Sequence, residues 1–128
     1  MTAARTPPTL DVRRPFTREQ ALAAGITPAQ LRSAHFRRLL TGVYVAADVT
    51  VTPALTAAAA LVPFGPGARA SHVSAARVWG LPVPVDPCEH VTVGEPSQRR
   101  VRDGLRCHVR PGGSTVVVDG VPVSAIPE

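Results

Sequence analysis

Apolar positions keep a helical spacing in the first part of this chain and change to a strand spacing after the prolines at 82–87. Thr17 to Gly25 predicts a first helix. Thr17 is its cap, and Gln20, three residues on, can return a bond to the cap's own N–H. Ala21 and Leu22 are expected to face inward, and Gly25 ends the helix where φ is positive. Phe16 stands just before the cap, placed to staple the helix entry. Thr27 opens a second helix. Pro28 takes the first position, where a missing N–H costs nothing, and Gln30 completes a second capping box. Gln30, Arg32, Ser33 and His35 would lie on the open side of that helix. Arg37 and Arg38 follow at once, and Gly42-Val43-Tyr44-Val45 reads as a strand. Thr17 to Val45 therefore predicts helix, tight turn, helix and short basic hairpin, a winged-helix kind of unit.

Beyond it, Val49-Thr50-Val51 is a candidate short strand. Thr52 caps a third helix with Pro53 at its first position. Leu55, Ala58, Ala59 and Val62 give that helix one apolar face, expected to pack on the first two helices. It stops at Pro63-Phe64-Gly65-Pro66-Gly67. Ser71 is the expected cap of a fourth helix, with Ala75, Val78 and Trp79 on one face and Gly80 at its end. Trp79, the single Trp, is expected in the local core. Leu81 to Pro87 is too proline-rich for a helix and reads as an extended connector. His90–Val93, Leu105–Arg110, Thr115–Val118 and Val121–Val123 then read as strands. Asp103-Gly104 is a turn, and Asp119-Gly120 suits a type I′ hairpin. Pro122 is expected to put its strand at an edge. The chain stops at Ile126-Pro127-Glu128 with no finished element there, so a fragment of a longer protein is expected.

Charge sharpens this picture. All 14 basic residues are Arg. Residues 1–45 hold seven of them against Asp11 and Glu19, and residues 99–110 hold five against Asp103. Two concentrated patches are what a polyanion-binding face needs, because released counterions drive the binding. The bland alternative is that they only keep the protein soluble. Met1 to Pro15 is Thr-, Pro- and Arg-rich without a period and reads as a loosely held basic lead. Such an arm can reach a DNA groove, although loose termini of this kind are common. No apolar run follows its arginines, so it is not a signal peptide, and no stretch is long enough to span a bilayer. A cytoplasmic protein with reduced Cys88 and Cys107 is expected.

Candidate chemistry is sparse. Cys88, His90, Cys107 and His108 are zinc-ligand types, but neither pair has the spacing that lets one turn present two ligands. On a strand, Cys107 and His108 would point to opposite faces. Ser71-His72 lacks the nucleophile elbow, and the two side chains are not expected to face each other. There is no phosphate-cradling glycine loop and no acid cluster with a Lys for a Mg²⁺ nuclease. No catalysis, metal or cofactor is expected within these residues.

Five segments in order carry a resemblance: Phe16–Thr27, Phe36–Val45, Ala70–Pro82, His90–Val93 and Asp119–Val123. Together they resemble the N-terminal part of actinobacterial AbiEi-type antitoxins, over about residues 14–128. The resemblance implies a winged-helix domain that binds operator DNA and represses its own operon. It also implies opposition to a nucleotidyltransferase-type toxin encoded nearby, without a stable complex. A Vsr-like nuclease fold follows in longer relatives and has no counterpart here.

The expectation is thus an α+β chain: a basic lead over 1–15, and a winged helix-turn-helix over 16–51 buttressed by the helix over 52–62. An incomplete α/β segment over 68–128 follows, made of a helix and a β-hairpin. Double-stranded DNA is the expected partner. Gln30, Arg32 and Ser33 would read base edges, since a guanidinium fork suits guanine and a Gln amide suits adenine. Arg18, Arg37 and Arg38 would hold phosphates. Two alternatives stay open: the docking half of a nuclease, and a protein-interaction module using the Val116–Val118 and Val121–Val123 edge. Nothing in the sequence sets an oligomeric state.

Overall fold

Both capping boxes form in the structure, a computed structural model that describes residues 10–125. Thr17 N donates to Gln20 Oε1 at 2.9 Å, and Gln20 N to Thr17 Oγ1 at 3.1 Å. The Thr27–Gln30 pair repeats this at 2.7 and 3.1 Å. They open α1 (Arg18–Ala23) and α2 (Pro28–Leu31), which follow a two-residue strand β1 (Phe16–Thr17). Gly25 takes φ +92° between the helices. Since α2 is a single turn, its cap is a large share of what holds it. Thr27→Ala is expected to cost about 1 kcal/mol, read as a lower denaturation midpoint. An unchanged midpoint would show that packing alone fixes this turn.

Two features of this unit differ from expectation. Leu22 is 43% exposed. In so short a helix Ala21 takes the inward position, and its neighbour is turned about 100° away. The second helix also ends at Leu31, so Ser33 and His35 lie beyond it. Ser33 Oγ donates to the Gln30 carbonyl at 2.6 Å, and such local bonding ends helices.

The strands β2 (Phe36–Leu40) and β3 (Val43–Ala46) then form the expected hairpin. With β1 they make a three-stranded antiparallel sheet in the order β1-β3-β2. Phe16, Ala21 and Leu31 are its buried centre, and Ile26, Phe36 and Tyr44 pack around them. The lead is held from Leu10 on. Leu10 and Val12 join that cluster, Ala46 N donates to Val12 O at 2.8 Å, and Arg13 pairs with Asp48 at 3.0 Å. The earlier part of the expected basic lead lies outside the described residues.

The second half is built on a five-stranded mixed sheet. No strand forms at Val49–Val51, where Val49 N turns back to Ala46 O. Thr52 caps α3 (Pro53–Leu61), with Thr52 Oγ1 accepting from Leu55 N at 3.1 Å. Next come β4 (Arg69–Ala70), α4 (His72–Val78), β5 (Glu89–Val93), a 3-10 turn at Pro96–Gln98, β6 (Leu105–Val109), β7 (Thr115–Val118) and β8 (Val121–Ser124). The strand order is β6-β5-β4-β8-β7. β5 runs parallel to β6, and β7 pairs antiparallel with β8 through a turn where Asp119 and Gly120 both have positive φ. That turn is the expected type I′.

The residues that α3 buries are Ala57, Ala59 and Ala60. Ala57 and Ala60 join the two clusters against this sheet, with Ala70, Ala75, Val121 and Val123 in one and Ala68, Val91 and Val93 in the other. Hence α3 packs on α4, β4, β5 and β8, and meets the first unit chiefly through β2, rather than completing the core of α1 and α2. Trp79 falls one position past α4 and is 45% exposed, its Nε1–H donating to the Ser124 carbonyl at 3.1 Å. Pro122 lies in β8, between β4 and β7, not at an edge. β4 is too short to flank the whole of β8, and meets it in register at Val123. The architecture is mixed α/β, with four α-helices among the described residues. No helix there is long and apolar enough to cross a membrane.

Candidate functional site

Two surfaces carry chemistry. The first is basic. Arg32 stands at the end of α2 and is exposed, as is Gln30. Gln30 Oε1 is already engaged by the Thr27 N–H, so its amide cannot present both halves of the pair that suits adenine. Ser33 Oγ donates to Gln30 O and accepts from His35 N at 3.3 Å, so it too is occupied locally. Arg37 and Arg38 are both exposed neighbours on β2, and successive strand residues point to opposite faces. Arg18 is half-buried at the start of α1.

These arginines differ from the structural ones. Arg77 pairs with Glu89 at 3.1 Å, and Arg69 Nε, in a residue 4% exposed, donates to Ser124 Oγ at 3.0 Å. Arg18, Arg32, Arg37 and Arg38 make no ion pair or side-chain hydrogen bond among the described residues. The hairpin turn also touches the second basic stretch. A β-carbon at Gly42 would lie 3.2 Å from Arg102 Nη1, and one at Gly104 would lie 3.4 Å from Leu40 Cδ2. The β2–β3 turn thus lies beside Arg102 and Gly104, so the hairpin approaches the second basic stretch, which the sequence holds far from it.

The second surface is the face of the large sheet away from α3. Alternation puts Val91, Val93 and Cys107 toward α3, and His90, Thr92 and His108 on the other side. Cys107 and His108 do point apart, and both cysteines are free. What the sequence did not reveal is that His72 joins the two strand histidines. Its ring stacks on His108 with centroids 3.8 Å apart and planes 14° apart. His90 Nδ1 lies 2.9 Å from His108 Nε2. His90 Nε2 lies 2.9 Å from Asp86 Oδ2. The Asp86 carboxylate is held below its ordinary pKa, first by the Cys88 N–H that it accepts at 2.8 Å, then by His90.

Ser71 and His72 do face each other, contrary to expectation, with Oγ and Nδ1 3.0 Å apart. His72 has φ +53°, and this left-handed bend turns its ring toward the strands. Ser71 stands at the cap position of α4 but makes no cap bond, because its Oγ accepts from Thr92 Oγ1 at 2.7 Å. One ring nitrogen from each of His72, His90 and His108 lies within 4.8 Å of the others.

Compared with known proteins, the chain matches no family model and no curated sequence.

Proposed function

We propose that this chain binds double-stranded DNA through a surface made of α2, the β2–β3 hairpin and the Arg99–Arg106 segment. The observation that carries it is the approach of Arg102 to the hairpin turn at Gly42, which sets the second basic stretch beside the arginine-bearing hairpin. The arginines of the hairpin have no anionic partner among the described residues. Arginines left unneutralised inside a protein are available to phosphates, and a β-hairpin beside a helix-turn-helix has the shape of a wing.

Within that reading Arg32 is the base-reading group, because it is exposed and uncommitted while Gln30 and Ser33 are bonded locally. The five resembling segments make the finer proposal an AbiEi-like antitoxin that reads its operator and represses transcription. A nucleotidyltransferase-type toxin encoded nearby is then its functional counterpart.

The test is binding of the full chain to its own upstream DNA and to a random duplex across a salt series. Tighter binding upstream, with both affinities falling steeply in salt, is the expected result. Arg32→Ala is expected to remove the preference for upstream DNA, a discrimination of about 1–3 kcal/mol for a bidentate contact, and to leave random binding nearly unchanged. Equal losses on both duplexes would make Arg32 a phosphate contact. No binding to either would overturn the reading.

A further inference from the structure

We infer that His72, His90 and His108 bind a divalent transition-metal ion, zinc foremost, with a fourth coordination position open. Their nitrogens already converge within 4.8 Å. Tetrahedral zinc holds imidazole nitrogens at about 2.0–2.1 Å, which sets them about 3.4 Å from each other. The 2.9 Å between His90 Nδ1 and His108 Nε2 has to open by about half an ångström, and the His72 ring, stacked on His108 with planes 14° apart, has to swing so that its in-plane lone pair meets the same point.

The outer partners fit a metal site. A ligating imidazole holds its second nitrogen on a carboxylate, carbonyl or hydroxyl, which fixes tautomer and ring orientation. Asp86 does this for His90 Nε2, itself oriented by the Cys88 N–H. Ser71 Oγ does it for His72 Nδ1, and Thr92 Oγ1 in turn holds Ser71. Asp86 on His90 Nε2 and Ser71 on His72 Nδ1 assign His90 Nδ1 and His72 Nε2 to the ion, with one ring nitrogen from His108 beside them.

A plain N–H···N bond between two neutral rings would explain the His90–His108 contact. The third ring is brought onto this pair by a left-handed backbone at His72, a strained conformation of the kind that clusters at binding sites. Three neutral imidazoles suit zinc, copper or nickel rather than magnesium or calcium. Cys107 is turned to the other face and supplies no thiolate. Arg106 shares the site's face opposite His90 but is exposed, so its charge is largely spent in solvent. With three protein ligands, water takes the fourth position.

The test uses the full chain, stripped with a chelator and dialysed against zinc(II) alone. One zinc per chain is expected, and cobalt(II) in its place is expected to give the intense visible absorption of a four-coordinate ion. His72→Ala and His108→Ala each lose stoichiometric binding while keeping the circular dichroism of the parent. Asp86→Asn, which leaves all three ligands, is expected to weaken zinc about 10–100-fold. Cys107→Ser leaves it unchanged. Substoichiometric zinc on the parent chain overturns the inference. So does zinc affinity that Asp86→Asn leaves unaltered, a result that stands even if a histidine variant fails to fold. Loss of zinc in Cys107→Ser would overturn the three-histidine ligand set.

Discussion

Phe16→Ala is expected to open the three-stranded sheet and leave the five-stranded one standing. Phe16 is 1% exposed and sits at the centre of the smaller core. Its ring meets Phe36 edge-on at 5.8 Å and stacks with Tyr44 at 6.3 Å. Truncating a buried Phe costs about 3–5 kcal/mol, and the lost aromatic pairs belong to the upper part of that range. A whole domain has only about 5–15 kcal/mol to lose. The other members of this cluster cannot close the gap, since Ala21 is small and Leu31 is anchored on the single turn of α2. The clusters of the large sheet contain neither Phe16 nor its ring partners. Amide exchange is therefore expected to speed up over β1, β2 and β3 and to stay slow in β5 and β8. Equal acceleration in both sheets would show instead that they unfold as one cooperative unit.

What was legible in the sequence was local. A capping box needs residues three apart, so Thr17–Gln20 and Thr27–Gln30 declared themselves, as did Thr52-Pro53 and the Asp119-Gly120 turn. Strand β4 was invisible because Arg69–Ala70 has no pattern of its own. It exists through pairing with β5 on one side and β8 on the other. Hydrophobicity alone puts Trp79 inside, but it falls one position past α4 with its Nε1–H on the Ser124 carbonyl, and the cluster between α3, α4 and the sheet is closed by Ala57, Ala70, Ala75, Val121 and Val123. A base-reading role for Gln30 competes with its capping role, and that competition is legible in Thr27-x-x-Gln30. The histidine site was hidden for a different reason. Spacing grouped Cys88 with His90 and Cys107 with His108, whereas strand alternation separates Cys107 from His108 and a left-handed residue at the start of α4 supplies the third ring. Only the register that sets His108 beside Thr92, two residues from His90, reveals that these rings share a face.

On the proposed DNA face, replacing Arg37, Arg38, Arg102 and Arg106 together by Ala is expected to remove a large part of the salt dependence of binding. Each phosphate contact releases counterions and contributes about 0.9 to the slope of log affinity against log salt, so four contacts, the upper limit in which both hairpin arginines touch phosphate, amount to about 3.6. Over a fourfold change in salt that is a factor of about 150 in affinity, which the variant would no longer show. Stability is a separate matter, because the side chains of Arg37 and Arg38 are exposed and make no ion pair or hydrogen bond among the described residues. Surface changes of this kind stay within about 0.5 kcal/mol each, and since Arg102 is half-buried beside the hairpin turn, an unchanged denaturation midpoint of the variant separates lost binding from unfolding. The single variants divide the surface further. Arg37 and Arg38 lie on opposite faces of β2, and a wing lying flat on the duplex would use one of them. Its substitution would then lower the slope by about 0.9, and the other would leave it unchanged. A wing inserted edge-on between phosphate rows would lose slope with either. Loss of slope in Arg102→Ala as well would place DNA against both basic stretches at once. A slope that survives the quadruple substitution would mean that these arginines are a solvated surface, and would overturn the proposed DNA face.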